Sequence, residues 1–208
     1  MTKSGFEFAM TLAAVRKLSP CKASYDRVAA ILPKHGKITA SQARDAGCTL
    51  DDMVWLASTL ARVNPAVERR VMHWAADCAA HVLHIYERDH PTDRRPRAVI
   101  KASRDFADGK INTAALAAAR AAAREAARDA AGAAAWDAAW AATWEAAWDA
   151  AGAAARAAAR DAARDATWEA ARAAARAAEE QWQFDRLVLW LSAEEPTPFD
   201  ATVLEQAA

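Results

Sequence analysis

Ala133-Ala134-Ala135-Trp136-Asp137-Ala138-Ala139-Trp140-Ala141-Ala142-Thr143-Trp144-Glu145-Ala146-Ala147-Trp148 lies at the centre of a tract that decides the fold class. From residue 114 to 178 alanine fills most positions, and one larger residue or a glycine recurs at every fourth. The series runs Arg120, Arg124, Arg128, Gly132, Trp136, Trp140, Trp144, Trp148, Gly152, Arg156, Arg160, Arg164, Trp168, Arg172, Arg176, Glu180 without a slip. Alanine is the strongest helix former because it loses no side-chain entropy on ordering, so the tract is predicted helical. A step of four residues turns the row by about 40° per repeat. In one straight rod of about 100 Å, Arg120, Arg124 and Arg128 would share a face with Arg156, Arg160 and Arg164. Trp136 to Trp148 and Trp168 would lie opposite them, while Arg172 and Arg176 break the division. Asp-Ala-Ala-Gly-Ala-Ala-Ala occurs at 129–135 and again at 149–155. Glycine costs about 1 kcal/mol in a helix interior, so bends are expected near Gly132 and Gly152. Antiparallel packing of the resulting helices is preferred over a rod, because alanine faces approach closely and the tryptophans fill the layer between them.

Outward from this tract, residues 1–110 read as a string of shorter helices. Helical spacing covers Glu7–Lys17 up to Ser19-Pro20, and then Ala23–Leu32 up to Pro33 and Gly36. Thr39 is placed to cap a short helix ending at Gly47, and Thr49 to cap Leu50–Val63. Pro65 opens a longer helix to about Arg88. His90-Pro91-Thr92-Asp93 interrupts, and Pro96 sits in the first turn of a helix ending near Gly109. No β-branched alternation is long enough for a substantial strand. The expected architecture is all-α in three parts: an N-terminal helical region over 1–110, the Ala-rich helices over 111–182, and a closing helix with an acidic tail over 183–208. The last part carries the apolar cluster Phe184, Leu187, Val188, Leu189, Trp190 and Leu191.

The net charge is zero but unevenly spread. Basic and acidic residues number 18 and 12 in residues 1–110, 8 and 10 in 111–182, and 1 and 5 in 183–208. The front half, with all five histidines, is the side that would attract an anion, while zero net charge argues against coating of nucleic acid. Cys21, Cys48 and Cys78 are scattered without a CxxC spacing, which points to reduced thiols in a cytoplasmic protein. The N-terminus lacks the apolar core of an export signal, and charges punctuate the alanine tract too often for a membrane span. A soluble cytoplasmic chain is the expectation.

Four constellations could carry chemistry. His73, Asp77, His81 and His84 fall on one face of the 65–88 helix and could ligate a divalent metal. One helix alone rarely completes such a site and HExxH is absent, so a polar face with Asp77 bonded to a histidine is the plainer reading. Arg94, Arg95, Arg97, Lys101 and Arg104 gather at a helix N-terminus. There, guanidinium forks and free backbone N–H groups form a cradle for a phosphate or carboxylate; salt bridges to the acidic tail or the Ala-rich tract are the plainer alternative. Thr39–Ala57 imitates a helix-turn-helix, but Asp51 and Asp52 at its second helix would repel phosphates. Trp136, Trp140, Trp144, Trp148 and Trp168 with the arginines could stack bases or hold a partner helix, although packing is their first duty. No P-loop, nucleophile elbow or dinucleotide fingerprint occurs, and no cofactor is implied.

Pro20-Cys21, Asp52-Met53-Val54-Trp55-Leu56-Ala57, Ala75…Cys78-Ala79 and Arg95-Pro96-Arg97-Ala98-Val99-Ile100…Arg104-Asp105-Phe106-Ala107…Gly109, leading into the alanine tract, make a combined pattern. In it the chain resembles a family of bacterial and phage immunity proteins. The Arg-Pro-Arg element and its lead-in are its specific part. The resemblance implies neutralisation of a toxin or defence component by binding, and supplies no catalytic residues. The sequence therefore reads as a non-enzymatic immunity-type or phage anti-defence inhibitor that sequesters a protein partner. Its rivals are a sponge for a phosphorylated or nucleotide signal held by the arginine cluster, and a metal-dependent enzyme on the histidine face. Self-association through an aromatic stripe is open to any of them.

Overall fold

The computed structural model describes residues 6, 8–129, 168–192 and 194–200. Helices dominate: α1 Leu12–Lys17, α2 Lys22–Ile31, α3 Ala40–Asp45, α4 Leu50–Ala61, α5 Pro65–Asp89, α6 Arg95–Ala107, α7 Thr113–Asp129 and α8 Trp168–Trp190. The protein is all-α, with one minimal antiparallel pair of strands, β1 Ala9–Met10 and β2 Ile38–Thr39, in register Ala9 to Thr39 and Met10 to Ile38. Helix α1 begins five residues later than the periodicity suggests, because the chain before it is extended into this pairing. The expected bends at Gly132 and Gly152 lie outside the described residues, as do Trp136, Trp140, Trp144 and Trp148; of Trp168 only the backbone, at the start of α8, is described.

The described residues fall into two compact units, one within Met1–Val71 and Phe184–Pro196, the other within Met72–Gln183 and Thr197–Ala208. In the first unit, side-chain caps set the helix starts. Thr39 caps α3, with Gln42 closing the box. Thr49 caps α4: its Oγ1 accepts from the Asp52 N–H at 3.3 Å, and Asp52 Oδ2 accepts from the Thr49 N–H at 2.9 Å. Each box satisfies two backbone donors that a helix start leaves orphaned. Thr49→Ala is expected to lower the unfolding free energy by about 1 kcal/mol, read as a shifted denaturation midpoint at unchanged cooperativity. Between these helices Gly47 takes φ 97°, a left-handed turn that suits glycine. Arg70 anchors the far end of the same unit. Buried to 4% exposure, it donates from Nη1 to the carbonyls of Trp190 and Ser192, both at 2.6 Å, and its guanidinium lies over the Phe6 ring.

In the second unit α5, α6 and α7 pack around Ala76, Ala79, Ala80, Leu83, Val99, Ile100 and Ala123. The small residues explain the arrangement: from Met72 to Ala80 every residue of α5 is buried, which Ala75, Ala76, Ala79 and Ala80 permit by letting neighbouring backbones come close. Trp74 fills the layer toward α8, its indole N–H donating to the Gln183 carbonyl at 3.0 Å. The three cysteines are free thiols in graded environments: Cys21 exposed, Cys48 buried in the first unit and Cys78 sealed in the second. Among the described residues no helix is long and apolar enough to cross a membrane.

Candidate functional site

Helix α6 is the natural place to begin, since its start carries the cationic cluster. Pro96 in its first turn suits a position whose N–H has no helical partner. Upstream, Asp93 does the work of a cap from outside. It accepts from the Arg95 backbone N–H at 2.9 Å, from Arg95 Nη2 at 2.7 Å and from the Tyr86 hydroxyl at 2.7 Å. The Arg95 guanidinium, with help from the tyrosine and the backbone, holds this carboxyl far below the usual carboxylate range. A carboxylate with a depressed pKa stabilises the fold above its unfolded pKa, near 4, and loses that contribution as pH falls through the folded value. Asp93→Asn is therefore expected to destabilise the protein at neutral pH, with the gap to wild type narrowing as the solution is acidified below about pH 4. Melts across pH check this, and a gap independent of pH would contradict it.

Each member of the cluster meets a carboxylate of its own chain. Arg97 forms a two-pronged pair with Glu87, Nε to Oε1 at 2.9 Å and Nη2 to Oε2 at 2.6 Å. Arg94 Nη1 lies 3.5 Å from the same Glu87. Lys101 pairs with Asp105 one turn on, on the exposed side. Arg104 Nη2 donates to Asp77 Oδ1 and to the Phe199 carbonyl, both at 2.7 Å. The carboxylates named here belong to α5, α6 and the turn between them, rather than to the acidic tail or the Ala-rich tract.

The four residues of the α5 polar face divide among different partners. His73 Nε2 meets Asp108 Oδ1 at 2.9 Å. Asp77, with no exposed surface, accepts from Arg104 and from the Phe199 N–H at 2.9 Å. His81 stacks flat on Trp182 with ring centroids 3.8 Å apart, and its Nδ1 lies 3.0 Å from Glu179 Oε2. His84 is exposed and bonds back to the His81 carbonyl. Among the described residues no group of three or more His, Cys, Asp or Glu is placed to hold a metal ion.

What the linear pattern could not disclose is that the two constellations touch. A cleft of about 270 Å³ is lined by Arg97, Lys101 and Arg104 from the cluster, by His73 from the polar face, and by Lys110. Asp105, Asp108 and Asp200 line it too, so its charge is mixed. Phe199 also went unrecognised in the sequence. Its backbone bonds to Asp77 and Arg104, and its ring meets His81 and Trp182 edge-on. Its only sequence signal is a lone aromatic beside Pro198 in a polar tail.

These observations define an all-α protein whose long central helix is locked to its neighbours by an internal network of charge. A family model described as "Imm-5 like putative immunity protein" matches residues 62–187, which takes in α5, α6 and α7 and most of α8. The chain belongs to that family. No curated protein and no solved structure matches it.

Proposed function

We propose that the chain is an immunity-type protein that neutralises a toxin or defence protein by stoichiometric binding, without catalysis. Membership of the immunity family carries this reading. The ion pairs along α5 and α6 agree with it. Cations already engaged by Glu87, Asp93 and Asp77 serve as a rigid scaffold more readily than as a reactive centre. The test is affinity capture of the tagged full chain from bacteria, followed by native mass spectrometry and by co-expression of whatever protein is captured. The expected result is a complex of fixed stoichiometry with a protein whose toxicity the chain suppresses. A chain that recovers no protein, or one whose captured partner harms cells equally with and without it, overturns the reading.

The mixed-charge cleft favours a second reading, a sponge for a small phosphorylated signal. Lys101 is its cleanest probe, because its side chain is 77% exposed and its pair with Asp105 is a surface one, worth a few tenths of a kcal/mol. A small-molecule mass excess lost on denaturation, and abolished by Lys101→Glu without a change in melting temperature, would decide for the sponge.

A further inference from the structure

Charge is handled differently around α6 and along α1, α2 and the loop that follows, and the difference marks a surface. Around α6 the cations are matched by carboxylates. Over residues 12–37 the sequence carries Arg16, Lys17, Lys22, Arg27, Lys34 and Lys37 against a single acid, Asp26. Two of these cations are matched, Lys22 by Asp26 and Arg27 by Asp52. Arg16, Lys17, Lys34 and Lys37 are exposed, and among the described residues none has a carboxylate within ion-pair distance. Three of the four rim one groove of about 480 Å³ between α1, α2 and the loop that follows, lined by Leu12, Ala13, Tyr25 and Ala29 besides Arg16, Lys17 and Lys34. Arg16 reaches over the Tyr25 ring, 5.9 Å from its centre.

Unmatched like charges held together in one small unit repel each other, so the arrangement is relieved when a complementary charge arrives. An apolar and aromatic floor inside a cationic rim has the chemistry of a cleft for an apolar side chain flanked by carboxylates. We infer that the α1–α2 groove is a docking surface for an acidic segment of a protein partner, one that presents an aromatic or aliphatic side chain between aspartates or glutamates. This rests on the binding reading above and adds a place and a chemistry to it. Nucleic acid is the weaker fit, because phosphate binding gains from many contacts along a backbone, and this rim offers few cations around an apolar floor. The groove lies outside the segment matched by the family model, residues 62–187.

The test uses the full chain, labelled for amide NMR, and a short peptide of aspartates and glutamates around one phenylalanine. At about 0.15 M salt, where surface charges are screened beyond roughly 8 Å, the peptide should shift the amides of Ala13, Arg16, Tyr25 and Ala29 saturably. Charge reversal at both Arg16 and Lys34 should weaken binding by about tenfold or more. Among the described residues neither side chain has an ion pair to lose, and the Arg16 contact with the Tyr25 ring is a long one at 5.9 Å, so the melting temperature should change little; if that variant fails to fold, Lys17→Gln with Lys34→Gln supplies the same comparison. Absent or non-saturating shifts, shifts centred elsewhere, or tighter binding of a short DNA duplex at the same salt would each overturn the assignment. The double reversal also separates this inference from the one beneath it. A variant that still neutralises its captured partner removes the groove and leaves the immunity reading intact, whereas a wild-type chain that captures nothing removes that reading whatever the peptide does.

Discussion

Trp74→Ala is expected to lower the unfolding free energy by about 4 kcal/mol, the scale of emptying a large buried aromatic site. Trp74 is 1% exposed and is among the largest fully buried side chains of the described residues. Truncation opens a void in a close-packed interior, which costs free energy in proportion to its volume. It also strands the Gln183 carbonyl, which loses the indole N–H at 3.0 Å. For a chain of this size the loss corresponds to a fall of about 10 °C in melting temperature. Trp74→Phe keeps most of the volume and removes the hydrogen bond, so it should cost about 1–2 kcal/mol. Thermal or guanidinium unfolding measures both, and a Trp74→Ala cost under about 1 kcal/mol would mean that this face of α5 is not packed as described.

Asp77→Ala is the second large effect, and its origin is electrostatic. The carboxylate has no exposed surface and accepts from Arg104 Nη2 and from the Phe199 N–H, among its contacts. Removing it leaves the half-buried Arg104 guanidinium without its carboxylate and costs about 3 kcal/mol. That is the low end of the range for broken buried pairs, because the Arg104 side chain keeps 22% of its surface in solvent. The informative experiment is the cycle. Asp77→Ala with Arg104→Met should be less destabilised than Asp77→Ala alone, because no orphaned charge remains. Strict additivity of the two single effects would show that the residues do not act as a pair.

Both predictions depend on contacts of very different legibility in the sequence. The helices of the described residues are largely readable, because their signals are local. Thr39 and Thr49 are caps where the linear pattern puts them, Pro65 and Pro96 open helices, and α4, α5 and α6 end within a few residues of their expected stops. The failure at Glu7–Lys17 has the same root. Apolar spacing in a short segment suits helix or strand alike, and the choice was made by a partner at Ile38–Thr39 that no local signal announces. Partners across sequence are harder still. Nothing in the spacing of His73, Asp77 and His81 shows that they would be claimed by Asp108, Arg104 and Trp182, because those pairings follow from how α5, α6 and α8 pack. Proximity of the arginine cluster to the histidine face is of that kind. So is the α1–α2 groove, whose cations are visible in the sequence while their lack of carboxylate partners among the described residues is not.

Cys21, Cys48 and Cys78 give the molecule a property that none of its interactions was needed to create: it times its own opening. The thiolate is the reactive form of cysteine. Cys21 is exposed, and hydrogen bonding with Ser24 holds its thiol below the ordinary value, so an alkylating reagent consumes it at once. Burial pushes the Cys48 thiol up to about 11, and Cys78 has no surface at all, so both wait for the chain around them to come apart. One of the slow thiols sits in each compact unit. A mass spectrum taken at intervals after adding reagent thus contains two stopwatches, started by the same injection. Equal rates would mean that the protein opens as a whole, and unequal rates would name the unit that yields first.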